Sequence, residues 1–210
     1  MTSLRQQLRL YLVTDTALCR GHGLVETVQE AVAGGVTMVQ LRAKDATTRE
    51  RVDMARAIKA ALFGTGVPVI INDDLAAAIK ADACGAHIGQ SDLAPADARR
   101  LLGPDKILGL SCETAATVQG ADPDIVDYLG MGPVFGTATK QDHEAPIGFD
   151  GLAELAALTS LPAVAIGGLK AKHQADVLAS GVDGLAVVSA ICGQPDPKAA
   201  AQLFFQEPAQ

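Results

Sequence analysis

The chain has 210 residues, of which 49% are apolar and 20% charged, too apolar and too weakly charged for a disordered protein. Acidic residues outnumber basic ones by 24 to 17, giving a formal net charge of −7, and aromatics are only 3%, with two Tyr, five Phe and no Trp. That balance excludes a general nucleic-acid binder, which needs basic surface and stacking platforms.

No apolar run approaches the ~20 residues that span a bilayer. Residues 1–9 are polar and lack the apolar core of a secretory signal. Cys19, Cys84, Cys112 and Cys192 form no Cys-x-x-Cys pair and no metal spacing with His, which argues against zinc and against a disulfide framework. The expectation is a soluble, cytoplasmic protein made of one domain, residues 1–210, large enough to bury an aliphatic core.

In chain order, Leu8–Thr14 is a short apolar run that predicts a strand, and Leu24–Ala33 has helical spacing stopped by Gly34-Gly35. Val36–Leu41 predicts a second strand and Thr48–Phe63 a long amphipathic helix. Val67–Ile71 is β-branched and ends in Asn72-Asp73, and Leu75–Ala83 follows as a helix. Ala86–Ile88 is a minimal fourth strand, and Pro95–Leu102 a helix with Pro in its first turn, where it is tolerated. Ile107–Leu110 and Ile125–Leu129 predict strands five and six, with Ala115–Gln119 as the helix between them. A Gly- and Thr-rich loop, Gly130–Gly148, precedes a helix at Leu152–Leu158. Ala163–Ile166 and Leu185–Val188 complete the strands, with helices at Gln174–Leu178 and Lys198–Phe205.

Eight strand–helix units of roughly 26 residues predict an α/β fold, a single (β/α)8 TIM barrel with parallel central strands. The strands read as continuous Val/Ile/Leu runs, as strands covered on both faces do. A doubly wound open sheet is the structural rival.

Polar residues gather where strands end. Thr14-Asp15, Gln40, Arg42, Lys44, Asn72-Asp73, Gln90, Asp92, Ser111, Thr137, Thr139, Lys140, Gly167-Gly168 and Ser189 all fall there. In a parallel barrel those ends converge on the face that carries active sites. Arg42, Lys44 and Lys140 make a cationic set suited to phosphate or diphosphate. Asp73 and Asp92 leave adjacent strands and can share one Mg²⁺, whose shell phosphate and water complete. The competing use of those two acids is to cap the helices that follow them. Gly167-Gly168 and Gly184–Ser189 stand where this fold builds a phosphate cradle from backbone N–H groups. Two anion sites imply two phosphorylated ligands.

The segments YLVTD (11–15), VQLRAK (39–44), INDD (71–74), GAHIGQSDL (85–93), LGLS (108–111), DYLGMGPVFGTATK (127–140), AIGG (165–168) and GLAVVSAI (184–191) occur in that order. Together, over roughly residues 8–205, they resemble the thiamine-phosphate synthase (thiamine-phosphate pyrophosphorylase) family. The resemblance implies a transferase that joins 4-amino-2-methyl-5-hydroxymethylpyrimidine diphosphate to a thiazole phosphate, carboxylated or not, through a carbocation-like pyrimidine. It implies Mg²⁺ as cofactor with Asp73 and Asp92 as ligands. Arg42, Lys44, Asn72 and Lys140 are implied to hold the diphosphate, with Gln40 and Ser111 at the pyrimidine and Ser111 also near the diphosphate. Thr137, Thr139, Gly168, Val188 and Ser189 are implied to hold the thiazole phosphate. Arg42, Lys44, Ser111 and Lys140 are the implied catalytic set, and Gly130–Gly148 a lid that excludes water. His87 lies on the same wall, as a pocket residue or as a hydrogen-bonded core histidine.

The sequence departs from the family pattern at Glu113, where His is common, and at Leu169, Gly136 and around His173. Glu113 reads as a first-turn helix acid and Cys112 as a small buried residue. Asp15 fits either a helix cap or the site. Two rivals remain: a thiazole tautomerase of the same superfamily, and a non-catalytic barrel that binds thiamine precursors. The complete charge set favours the synthase. The expected partners are small molecules, with no nucleic acid and no membrane, and a homodimer is compatible with the sequence.

Overall fold

The computed structural model describes residues 2–136 and 145–206. Its eight strands are β1 (Leu10–Val13), β2 (Met38–Leu41), β3 (Val69–Asn72), β4 (Gly85–Ile88), β5 (Ile107–Cys112), β6 (Tyr128–Met131), β7 (Ala163–Ile166) and β8 (Gly184–Val187). All neighbours pair in parallel, and β1 pairs with both β2 and β8, so the sheet closes. That closure excludes the open sheet, which would leave two strands with a bare edge.

The helices are α1 (Leu4–Gln7), α2 (Leu24–Ala33), α3 (Thr48–Ala61), α4 (Leu75–Lys80), α5 (Pro95–Leu102), α6 (Ala115–Gln119), α7 (Gly148–Ala156), α8 (Gln174–Ala179) and α9 (Pro197–Gln202). Short 3₁₀ turns occur at Leu18–Gly21, Ala171–His173 and Leu203–Phe205. Helices α2, α5 and α6 coincide with the predicted ranges.

Most other boundaries shift by one to three residues, and three differences have a clear local reason. Strand β6 starts three residues after Ile125, because the Ile125 and Val126 N–H groups donate to the Asp122 carbonyl and close a turn. Pairing with β5 begins at Asp127, whose N–H donates to the Leu108 carbonyl. Helix α7 starts at Gly148 rather than Leu152, because Ile147 and Gly148 N–H groups donate to the Pro133 and Val134 carbonyls and Phe149 packs edge-on to Phe135. Helix α1 lies in the stretch read only as a polar N-terminus. Ser3 and Gln6 form a reciprocal capping box there, which offsets the weakness of so short a helix.

The apolar strand runs resolve into two buried faces of period two. Outward residues such as Leu12, Val39, Leu41, Ile71, Ile88, Leu108, Leu110 and Leu129 join the helices in one large core. Inward residues form a second, smaller cluster, Leu8, Tyr11, Val13, Met38, Ile70, Tyr128, Val164 and Ala186. The outward row is apolar along its whole length. The inward row turns polar toward the C-terminal ends, at Gln40, Asn72, His87 and Ser111.

Candidate active site

Above the inward cluster, at the C-terminal ends of the strands, lies a cavity of about 260 Å³. Gln40, Arg42, Asn72, Asp73, Asp92, Ser111, Gly168, Val188 and Ser189 all line it, so most of the predicted set comes together. Lys44 is exposed and lines an adjoining cleft that shares Arg42, Asn72 and Asp73 with the cavity. Thr137, Thr139 and Lys140 lie outside the described residues, as do His143 and the middle of the loop read as a lid.

The acids have a defined arrangement. The N-cap of α4 is Asp74, whose carboxylate accepts from the Ala77 N–H at 2.8 Å. Asp73 is therefore spared for the cavity. It takes a left-handed backbone, φ 60°, which a short polar residue tolerates better than most, and its N–H donates to the His87 carbonyl. Asp92 does not cap α5, whose N-cap is Ala94; its carboxylate folds back to accept from the Gly89 N–H at 2.7 Å. The two carboxyl groups meet. Partial withdrawal from solvent and the adjoining Asp92 push the Asp73 carboxyl up to about 6, while Arg42 and the Asn72 amide hold it down. Like charges in contact call for a cation between them. Two hard carboxylate oxygen donors on one open wall fit a small divalent ion that completes its shell with other oxygens. Among the described residues no group of three or more His, Cys, Asp or Glu is placed to hold a metal by itself.

Arg42 is half-buried, and burial lowers its guanidinium pKa while Asp15 and Asp73 raise it back. Its backbone is pinned by buried Thr14, whose hydroxyl oxygen accepts from the Arg42 N–H at 3.0 Å. Asp15 accepts from the Ala17 and Leu18 N–H groups just before the 3₁₀ turn, whose N-cap is Ala17, and also faces Arg42 electrostatically. Arg51 ties the two loops together: it donates to the Ala43 and Lys44 carbonyls at 3.1 Å and to the Asp74 carboxylate at 3.0 Å. Arg51→Ala is expected to lower stability by about 2 kcal/mol, since several charge-assisted hydrogen bonds on a partly buried group go together; chemical denaturation measures it.

Across the barrel runs a chain of side chains that sequence reasoning missed. Gln40 Nε2 donates to the Tyr11 hydroxyl at 2.9 Å, and Tyr11 and Tyr128 meet hydroxyl to hydroxyl at 2.8 Å. The Tyr128 hydroxyl lies 2.8 Å from His87 Nδ1, and His87 Nε2 lies 2.9 Å from Ser111 Oγ. Both of the chain's tyrosines are thus spent here, each fully buried. A signal existed: buried phenols need polar partners, and each Tyr falls on an inward register. Gln90 donates to the Ser111 carbonyl and steadies the same strand end.

Two smaller readings are settled. Cys112 is buried, with its thiol pushed up to about 11 by burial, and donates to the Thr117 carbonyl. Glu113 is not a first-turn acid; it precedes the α6 N-cap Thr114 and lines the cavity. On the opposite wall, Gly167 and Gly168 have φ of 106° and 64°, and a Cβ on Gly168 would lie 2.8 Å from the Phe135 Cβ and 2.9 Å from the Gly136 carbonyl. Only glycine suits that bend beside Val188 and Ser189.

Comparison with known proteins gives one answer. A family model described as thiamine monophosphate synthase matches residues 10–191. The thiamine-phosphate synthase of Psychrobacter sp. is 50% identical over 95% of both chains. That of Xanthobacter autotrophicus is 52% identical over 93% of this chain and 92% of its own. The solved thiamine phosphate pyrophosphorylase of Pyrococcus furiosus is 33% identical with a TM-score of 0.87, covering 97% of this chain and 96% of its own. A 3-hexulose-6-phosphate synthase at 18% identity and TM-score 0.69 shares the fold alone.

Proposed function

This chain belongs to the thiamine monophosphate synthase family, and from that premise we propose that it is a thiamine-phosphate synthase using a pyrimidine diphosphate, a thiazole phosphate and Mg²⁺. The observation that carries the reading is the Asp73–Asp92 carboxylate pair beside Arg42 and Asn72, on the wall opposite the Gly167-Gly168 bend.

The bond between the pyrimidine methylene and the diphosphate oxygen breaks, and its electron pair leaves with the diphosphate. The lone pair of the thiazole nitrogen then forms the new C–N bond and the ring becomes a thiazolium. Charge grows on the diphosphate, so catalysis consists of holding that charge. Arg42, Asn72 and the Ser111 hydroxyl, which line the cavity, donate to its oxygens in this reading, and Lys44 in the adjoining cleft supplies long-range positive potential. Asp73 and Asp92 would hold Mg²⁺, which when bound would add countercharge for the leaving group. Gln40 orients the pyrimidine from the floor. Val188, Ser189 and the Gly168 N–H receive the thiazole phosphate, with Thr137 and Thr139 assigned there and Lys140 at the diphosphate on motif alone.

Purified protein with both substrates and Mg²⁺ is expected to release one diphosphate per thiamine phosphate formed. Isomerisation of the thiazole phosphate without diphosphate release would instead identify a tautomerase. Gly168→Ala is expected to raise KM for the thiazole phosphate about tenfold with kcat nearly unchanged, because the strain falls on a binding element made alike in ground and transition states. Among the described residues no helix is long and apolar enough to cross a membrane. All four thiols are free, which suits a reducing compartment, and we place the enzyme in the cytoplasm.

A further inference from the structure

Tyr128 does not touch the cavity, yet the architecture is arranged around its hydroxyl. In the ladder His87 pairs with Gly109 and Gly109 pairs with Tyr128. Gly109 faces inward between the two rings, and a Cβ there would collide with Tyr128 and with His87 Nδ1. Gly130, the next inward position on β6, leaves room for the other edge of the imidazole, 3.1 Å from where its Cβ would stand. Two glycines on adjacent strands thus open a slot in which the rings meet, with centroids 5.4 Å apart.

The direction of the chain follows from its first donor. Gln40 Nε2 gives a proton to the Tyr11 oxygen, so the Tyr11 proton goes to its other described partner, Tyr128. Tyr128 then passes its own proton toward His87 Nδ1, which accepts. The imidazole must carry its proton on Nε2, and that N–H donates to Ser111 Oγ. With its oxygen accepting from His87, Ser111 is left with its O–H free to donate into the cavity. Burial pushes both phenols far above the usual tyrosine range, so each keeps the proton the chain requires. Hydrogen bonds aligned head to tail polarise one another.

We propose that Tyr11 and Tyr128 are positioning residues: they form, from Gln40 to Ser111, a one-way hydrogen-bond chain that fixes the Nε2–H tautomer of His87 and turns Ser111 into a donor aimed at the leaving diphosphate. The last clause rests on the synthase reading. The tautomer does not, and the two are measured separately.

The first measurement is ¹⁵N NMR of the imidazoles in ligand-free protein, with the His87 signal assigned by its loss in His87→Gln. The parent protein is expected to show the Nε2–H tautomer, and Tyr128→Phe a mixture of both. An Nδ1–H tautomer in the parent, or an unchanged Nε2–H tautomer in Tyr128→Phe, overturns the chain whether or not the protein is a synthase. The second measurement is kinetic. Tyr128→Phe is expected to lower kcat about 10–100-fold, as loss of an orienting partner commonly does, with KM for the pyrimidine diphosphate within about twofold. In a Ser111→Ala background the same change is expected to cost almost nothing further. Equal losses in both backgrounds would show that Tyr128 does not act through Ser111. Tyr11→Phe, one link earlier, gives the same pattern at smaller amplitude and decides the matter if Tyr128→Phe does not fold.

Discussion

Asp73→Asn is expected to lower turnover about 100-fold or more, the scale on which removal of one charge-stabilising group acts, and at the same time to make the metal-free protein more stable. The two effects have one origin. Asp73 and Asp92 are held in contact, and the Asp73 carboxyl sits at about 6 against an ordinary 3.8. A carboxyl whose pKa is raised on folding destabilises the native state at any pH above both values. That penalty is relieved as pH falls from about 6 toward 4, where the folded protein takes up the proton before the unfolded chain does. Metal-free parent protein should therefore gain stability from this group between pH 7 and pH 5, and Asp73→Asn should lack that gain. Mg²⁺ should raise the parent's Tm at pH 7 by mass action and raise the variant's far less. An equal Tm shift with Mg²⁺ in both proteins would sink the metal assignment, whatever the activities.

Arg42→Ala is expected to reduce kcat/KM for the diphosphate substrate about 100- to 1000-fold, with the opposite sign on stability. The guanidinium faces Asp15 and Asp73 together. Its removal leaves three carboxylates, Asp15, Asp73 and Asp92, crowded at one wall without their guanidinium partner, and metal-free protein should lose Tm. Arg42→Lys should recover part of the Tm and little of the turnover, because an ammonium is a point charge and cannot fork between two oxygens as a guanidinium does. Full recovery of turnover by Lys would mean that Arg42 contributes only charge. Asp73→Asn and Arg42→Ala thus form an informative pair: both inactivate, one stabilises and one destabilises. A merely structural role for this wall would move stability in the same direction as activity.

Much of this arrangement is legible in the sequence because it is written in local signals. Helices α2, α5 and α6 are bounded by Gly, Pro and polar residues that act within a few positions. The cavity residues Gln40, Arg42, Asn72, Asp73, Asp92 and Ser111 are legible because strand ends converge wherever the barrel closes. What is illegible depends on distance or on a break in period. Tyr11 and Tyr128 are 117 positions apart, and nothing local announces that their hydroxyls meet. Lys44 reads as a cavity residue only if the extended segment continues past Arg42. Strand β2 stops at Leu41, Arg51 captures the Ala43 and Lys44 carbonyls, and the side chain is delivered to the next cleft. Strand β6 slips by three residues because two apolar residues, Ile125 and Val126, are held in the turn before it rather than in the ladder.

The helix at the start of the chain has a meaning for product fidelity. Leu8 is buried in the inner cluster at the N-terminal end of the barrel and Leu4 packs against the same cluster. Arg5 fastens this stopper by two 2.8 Å contacts to Asp183 and one to the Ser160 carbonyl. In the proposed mechanism an electrophilic pyrimidine methylene is lost to any water that reaches it before the thiazole nitrogen does, and the buried inner cluster closes the barrel from beneath. On the proposed mechanism, the fraction of diphosphate released without coupling, as the free pyrimidine alcohol, is then expected to depend on six residues at the opposite pole of the molecule, Ser3 to Leu8, which help to keep that cluster closed. Removal of those residues is expected to leave the proposed substrate contacts in place and to show itself, if at all, as diphosphate formed in excess of thiamine phosphate.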